Sequence, residues 1–231
     1  MCGRYNLITD AQALVDFFDV DTALIDLAAF HARYNIAPSQ YIPAVRQGEQ
    51  GRELVALRWG LIPAWSKEAK TTYSMINARA ETVADKPAYR DAFRQRRCLI
   101  PATGFYEWKG ASGNRQPYFI GMRGQGLLAF AGLWERWQGG DENSIESCSI
   151  IVTNANDAVR PVHDRMPVIL ARSDYEQWLD PANKAPESLM YLLQPCEAQA
   201  MMVYPVSSLV NSPANDGPRC VERQKSGDEL F

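Results

Sequence analysis

A single α+β domain dominated by antiparallel β-strands is the fold class that this sequence predicts. Short apolar and aromatic runs, bounded by Gly, Pro and polar turns, recur from Tyr41 to Val206. Gly48 and Gly51 separate two of these runs closely enough for a hairpin. No internal repeat is present, and no linker is long enough to divide the 231 residues, a length that buries a sizeable core.

In chain order, Tyr5-Asn6-Leu7-Ile8 reads as a strand that carries the N-terminus into the core. Thr9-Asp10 caps a helix with apolar positions at Leu14, Val15, Phe17 and Phe18, and a second amphipathic piece is expected around Leu24, Leu27 and Phe30. Tyr41–Val45 and Glu53–Gly60 are the two hairpin strands. Leu61-Ile62-Pro63-Ala64-Trp65 is a rigid, aromatic-bearing loop. Ala88–Arg97 suits a helix, and Cys98–Pro101 leads to Gly104-Phe105-Tyr106-Glu107-Trp108-Lys109. Pro117–Ile120 and Leu127–Trp134 read as a strand pair, Ser147–Thr153 as a further strand, and Val168–Leu170 as a short apolar run. Ser173 caps a helix through Leu179, Pro186–Leu193 is another, and Ala200–Val206 is a last strand. From Asn211 to Phe231 Pro, Gly and charge predominate, which predicts a disordered tail after a folded domain of residues 1–210.

Composition narrows the function classes. Hydrophobic residues at 46% and charged at 22% are ordinary for a soluble globular chain. No apolar run approaches the roughly 20 residues of a membrane span, and a signal-peptide pattern is absent, so a cytoplasmic location is expected, with the chain a monomer. Five scattered cysteines without a C-x-x-C pair argue against a disulfide framework and a zinc site, and two histidines against a His-rich metal centre; no cofactor is expected. A net charge of −3 leaves nucleic-acid binding to a local basic surface.

The reactive potential lies at the start, Met1-Cys2-Gly3-Arg4. Removal of Met1 would give Cys2 an α-amine (reference pKa about 7.7–8.0) beside its thiol (about 8.5), both with usable reactive fractions near neutral pH. Such an amine condenses with an aldehyde, and the thiol closes on the imine as a five-membered thiazolidine. Glu107, between Tyr106 and Trp108, is either a desolvated general acid–base or a solvent-facing strand residue. Asn77 shares a face with Arg79 if extended, or closes a turn. His163, bracketed by Pro161 and Pro167 beside Asp164 and Arg165, is either a catalytic loop histidine or an exposed one.

Together with Asn77-Ala78-Arg79-Ala80-Glu81-Thr82, Gly104-Phe105-Tyr106-Glu107-Trp108 and His163-Asp164-Arg165-Met166-Pro167, the start Met1-Cys2-Gly3-Arg4 closely resembles the SRAP family of SOS response-associated, abasic-site-processing proteins. Arg33-Tyr34-Asn35-Ile36-Ala37-Pro38, Trp59-Gly60-Leu61-Ile62-Pro63 and Gln116-Pro117-Tyr118 extend the match to about residue 210. The resemblance implies strands curled into a barrel-like sheet with helices at its sides. It implies covalent capture of abasic sites in single-stranded DNA through Cys2, with Asn77, Glu107 and His163 as the other catalytic positions. It further implies DNA contacts at Arg4, Pro38, Trp65, Arg79, Trp108 and Arg165. This chain has Trp65-Ser66 where some members carry two tryptophans, so its stacking surface is expected to be smaller.

Arg58, Arg90, Arg94, Arg96 and Arg97 are additional candidate phosphate partners, with the alternative that the Arg90–Arg97 run is a solvated helix face. AP-lyase, peptidase and autoproteolytic activities are secondary expectations. Lys109 is a rival amine, mostly protonated at its ordinary pKa of about 10.4. The rival enzyme class is a glutamine amidohydrolase, which also begins Met-Cys-Gly and would use the Cys2 thiol as nucleophile. A plain single-strand-binding module is the non-enzymatic alternative. The terminal Leu230-Phe231, after acidic residues, resembles a ligand of the replication sliding clamp.

Overall fold

The structure is a computed structural model that describes residues 2–69, 75–111, 113–124, 126–139 and 144–224. The clamp-like Leu230-Phe231 lies outside the described residues. In chain order the elements are β1 (Tyr5–Leu7), α1 (Ala11–Phe18), β2 (Thr22–Ala23), β3 (Arg33–Ile36), β4 (Tyr41–Gly48), β5 (Gly51–Trp59) and β6 (Asn77–Arg79). There follow α2 (Arg90–Gln95), β7 (Arg97–Ala102), β8 (Gly104–Lys109), β9 (Gln116–Met122), β10 (Leu128–Gln138) and β11 (Ser144–Asn154). The chain ends in β12 (Arg165–Pro167), β13 (Ile169–Leu170), α3 (Tyr175–Leu179), α4 (Glu187–Met190) and β14 (Met201–Pro205), with short 3-10 turns between. Among the described residues no helix is long and apolar enough to cross a membrane.

The strands form two sheets. One runs β11-β10-β7-β4-β5 and closes on itself, because β5 returns to β11 in parallel register with Arg58 opposite Ser147 and Trp59 opposite Cys148. The result is a five-stranded barrel, as expected, and closure leaves these five strands without an open edge. The second sheet, in the order β14-β9-β8-β1-β3, packs across the barrel. Its Tyr5 sits edge-on to Trp59 and Phe130, with ring centroids 5.3 and 5.9 Å apart, and Phe105 meets Phe130 in the same manner at 6.1 Å. These buried rings fix the second sheet, which carries both the N-terminus and Glu107.

The β4–β5 hairpin forms as the glycines predict: Gly51 has φ +128° and pairs with Gly48. The Asp10 cap also forms, its carboxylate accepting the Ala13 amide at 2.8 Å. Other local expectations fail. Residues 24–30 hold no helix, because the Asp26 side chain accepts the Ala28 and Ala29 amides and so competes with helical bonding, leaving Leu24 exposed. The strands at 117–120 and 127–134 are not partners. β9 folds back on β8, its neighbour along the chain, while β10 pairs with β7 and β11 in the other sheet. Ser173 does not cap α3; it sits in a 3-10 turn with its hydroxyl bonded to Asp174. Arg97 cannot meet phosphate. It is buried at the start of β7 and donates to the carbonyls of Trp178 (2.6 Å), Phe93 (2.7 Å), Asn183 (3.0 Å) and Asp180. Arg96 is paired with Glu135 at 2.8 Å, and Arg90 and Arg94 remain exposed on α2.

The expected disordered tail is ordered at least through residue 224. Its Pro and Gly residues are those of turns, and polar anchors hold them. The buried Asn35 amide donates to the carbonyls of Val210 (3.2 Å), Ser212 (2.9 Å) and Asn215 (2.7 Å). Asp216 accepts the Tyr34 and Asn35 amides at 2.5 and 2.9 Å, and Cys220 is buried. An Asn35→Ala variant removes the side-chain donor of the Ser212 carbonyl, leaves those of Val210 and Asn215 to Arg4 and Cys220 alone, and strips Arg4 of its amide partner. Chemical denaturation should show a loss of about 2–4 kcal/mol, and limited proteolysis should cut first within 207–224.

Candidate active site at the N-terminus

β1 pairs with β3 on one side and β8 on the other, so residues 2–4 run between the Ile36–Pro38 end of β3 and the Glu107 end of β8. Cys2 is wholly buried there, its sulfur 3.9 Å from the Arg4 carbonyl. β6 lies beside β11 with Asn77 opposite Ile150, which points the Asn77 amide at the N-terminus: Nδ2 donates to the Cys2 carbonyl at 2.8 Å. Asn77 Oδ1 is buried and has no hydrogen-bond donor among the described residues. The Tyr89 hydroxyl donates to the Asn77 carbonyl at 3.1 Å and fixes the backbone of β6 from behind.

Glu107, 4% exposed, proves to be the desolvated carboxyl and not the solvent-facing one. Burial pushes its pKa from 4.5 up to about 7, against the pull of the positive amino terminus and the Trp108 amide. It therefore exchanges protons near neutrality. Its Oε2 lies 3.9 Å from His163 Nε2. Burial and the positive amino terminus hold His163 below its ordinary value; Arg115 adds to this and Asp164 opposes it. The imidazole is thus neutral. Its Nδ1 lies 2.9 Å from Asp164 Oδ1 and 3.0 Å from the Arg165 amide, which hold the ring with Nε2 facing Glu107. The four positions Cys2, Asn77, Glu107 and His163, far apart in sequence, are brought together.

One expectation about the nucleophile is corrected. Burial first, and the Glu107 charge second, push the Cys2 thiol far above its ordinary range, so no thiolate rests at neutral pH.

The flanking positions divide by exposure. Trp65 is 66% exposed on a loop pinned at both ends: the Ile62 amide donates to Ser147 Oγ (2.8 Å), and the Trp137 indole N–H donates to the Ser66 carbonyl (2.7 Å). Arg79 is exposed, and Pro38 is half-buried before Ser39, which adopts φ +72°. Arg165 is ion-paired with Glu81. Arg4 is committed to the protein, donating to Asn35 Oδ1 (2.9 Å) and the Val210 carbonyl (2.6 Å), with its guanidinium 5.9 Å from the Trp108 ring centroid. The Trp108 indole N–H donates to Asn211 Oδ1 at 2.7 Å. Tyr89 and Asn211, which hold Asn77 and Trp108, carry no local sequence signal; Asn35 stands in a matched motif but without an assigned role. Among the described residues no cluster of His, Cys, Asp or Glu could hold a metal ion.

Comparison with known proteins agrees with the motif reading. Residues 1–213 match the family described as SOS response associated peptidase (SRAP). "Abasic site processing protein YoqW" of Bacillus subtilis (strain 168) is 44% identical over 223 residues, 96% of this chain and 99% of that protein. "Abasic site processing protein HMCES" of Gallus gallus is 35% identical over 196 residues, 74% of this chain and 57% of that longer protein. A crystal structure of a protein from Bacteroides thetaiotaomicron superposes with a TM-score of 0.86 at 26% identity, covering 97% of this chain and 100% of that one. The motifs around Cys2, Asn77, Glu107 and His163, the barrel that gathers them and the match over residues 1–213 establish that this chain belongs to the SRAP family.

Proposed function

We propose that the protein processes abasic sites in single-stranded DNA by joining them covalently to Cys2 once Met1 is removed. The observation that carries this reading is the enclosed Cys2, its carbonyl held by Asn77, beside a carboxyl whose pKa is near 7. An abasic sugar reacts only as its open aldehyde. Opening moves a proton from the C1′ hydroxyl to O4′; Glu107 exchanges protons at this pH, and His163 offers O4′ a hydrogen bond. The Cys2 amine attacks C1′, Glu107 protonates the departing hydroxyl as water, and an imine forms. Asn77 Oδ1 orients the attacking amine from its otherwise unmatched position. The thiol then adds to the imine carbon, and its proton passes through the Glu107 carboxylate to the ring nitrogen. Aldehyde plus N-terminal cysteine gives thiazolidine plus water, with no redox change. An imine that persists acidifies C2′, so β-elimination is a side reaction. The amidohydrolase alternative, in which the Cys2 thiol attacks an amide with its own amine as base, leaves Glu107 and His163 without roles.

Denaturing gels and intact mass after incubation with a single-stranded oligonucleotide carrying one abasic site test the reading. A heat-stable adduct without reductant is expected. Glutaminase turnover with no adduct would overturn it, and so would an adduct seen only with borohydride, which would mean an imine, on the Cys2 amine or on Lys109, that no thiol closes.

Trp65 serves as a stacking face for a nucleotide flanking the lesion. Trp65→Ala should weaken binding by about tenfold, from a stacking contribution of about 1–3 kcal/mol, and leave the melting temperature unchanged because the ring contributes little to the core. An affinity titration paired with a melting curve checks both.

A further inference from the structure

The β8–β9 turn and the 3-10 turn Ser208–Asn211 face each other across a cleft of about 620 Å3, beside Trp108. Its lining joins Trp108 to Asn114, Arg115, Ser208 and Asn211, and among the described residues it includes no carboxylate. The comparable cleft between Gln47 and α3, of about 680 Å3, is lined by Glu176 and Asp180 and so repels phosphate. In a chain of net charge −3, the cleft at Trp108 is locally suited to an anion.

Its groups also have defined capacities. Asn211 Oδ1 accepts the Trp108 indole N–H, which leaves both amide N–H groups of Asn211 to donate to a ligand. The same bond fixes the Trp108 ring, and the Arg4 guanidinium lies 5.9 Å from its centroid. Arg115 is exposed, and it stands in the turn that follows β8, the strand that carries Glu107. A fixed aromatic face, one free-standing arginine, amide and hydroxyl donors and a volume within the range of small-ligand sites make a nucleotide-sized receptor.

We infer that this cleft is a nucleotide subsite, in which Arg115 takes the phosphate of the nucleotide next to the lesion and Trp108 takes its base. The inference rests on the reading of Cys2 as the capture residue, and it adds Arg115, Asn211 and Ser208 as groups that position the strand.

The test separates the two readings by measuring equilibrium binding to an oligonucleotide with a tetrahydrofuran abasic analogue, which has no aldehyde and cannot react. Arg115→Ala should raise Kd by about tenfold, as for loss of a hydrogen bond to a charged group, and should reduce the slope of log K against log salt by about 0.7, one single-strand phosphate contact. Oligonucleotides that lack the neighbouring nucleotide on the 5′ or the 3′ side then locate it. On one of the two the Arg115→Ala penalty should vanish, because the group it contacts is gone. An unchanged Kd and salt slope, or the same penalty on both truncated strands, would overturn the subsite. Capture of the reactive lesion, measured separately, reports on Cys2 alone.

Discussion

Cys2→Ser abolishes the heat-stable DNA adduct; that is the largest effect expected. The variant keeps its α-amine, so it still condenses with the aldehyde, but the hydroxyl closes only to an oxazolidine, which reopens readily in water. The imine then hydrolyses, and adduct yield without reductant should fall by at least about 100-fold. Borohydride, which reduces the imine, should restore a band. The change is conservative in shape, and burying a hydroxyl in place of the thiol costs about 1–3 kcal/mol, so a melting curve separates lost chemistry from lost folding. A folded Cys2→Ser protein that still gives an unreduced, heat-stable adduct would sink the thiazolidine mechanism.

Glu107→Gln gives the second large effect, and it acts in opposite directions on activity and stability. Glutamine cannot carry protons, so the single-turnover capture rate should fall by about 100-fold or more, the usual scale of general acid–base catalysis. The wild-type rate should pass through a maximum near pH 7, where both forms of the carboxyl are present, and the variant should lose this dependence. Stability follows from the same burial. The carboxyl titrates at about 7 in the folded chain against 4.5 ordinarily, so between these values the unfolded state binds fewer protons than the folded one. Stability is therefore highest below about pH 4.5 as far as this group is concerned, and it declines as pH rises through 7. At about 1.36 kcal/mol per pKa unit the cost above pH 7 is on the order of 3 kcal/mol. Glutamine carries no charge to desolvate, so the variant should melt several degrees higher than wild type at pH 8 and close to it at pH 4.5. A variant less stable than wild type at pH 8 would show that Glu107 is instead held ionised by the fold.

Much of the site was legible in the sequence because its residues stand in short motifs with unusual neighbours. Cys2 follows the initiator, Glu107 lies between two aromatics, and His163 lies between two prolines. The hairpin at Gly48–Gly51 and the Asp10 cap were legible for a related reason: each is decided by a few adjacent residues. Where the outcome depended on distant partners, the reading failed. Arg97 has the composition of a phosphate ligand and is a buried staple for four carbonyls. Residues 211–224 have the composition of a disordered tail, yet Asn35, some 180 residues away, holds them.

The sequence by itself determined the family and the strand-rich class and named the residues of the candidate site, since these depend on residue types and local order. The tertiary structure alone decided which sheet each strand joined, and which polar groups lost their water. Burial sets the proton affinities: it brings Glu107 to about 7, keeps His163 neutral and denies Cys2 a resting thiolate. Desolvation is a property of the whole fold around a group, and so no stretch of sequence around Glu107 or Cys2 could supply it.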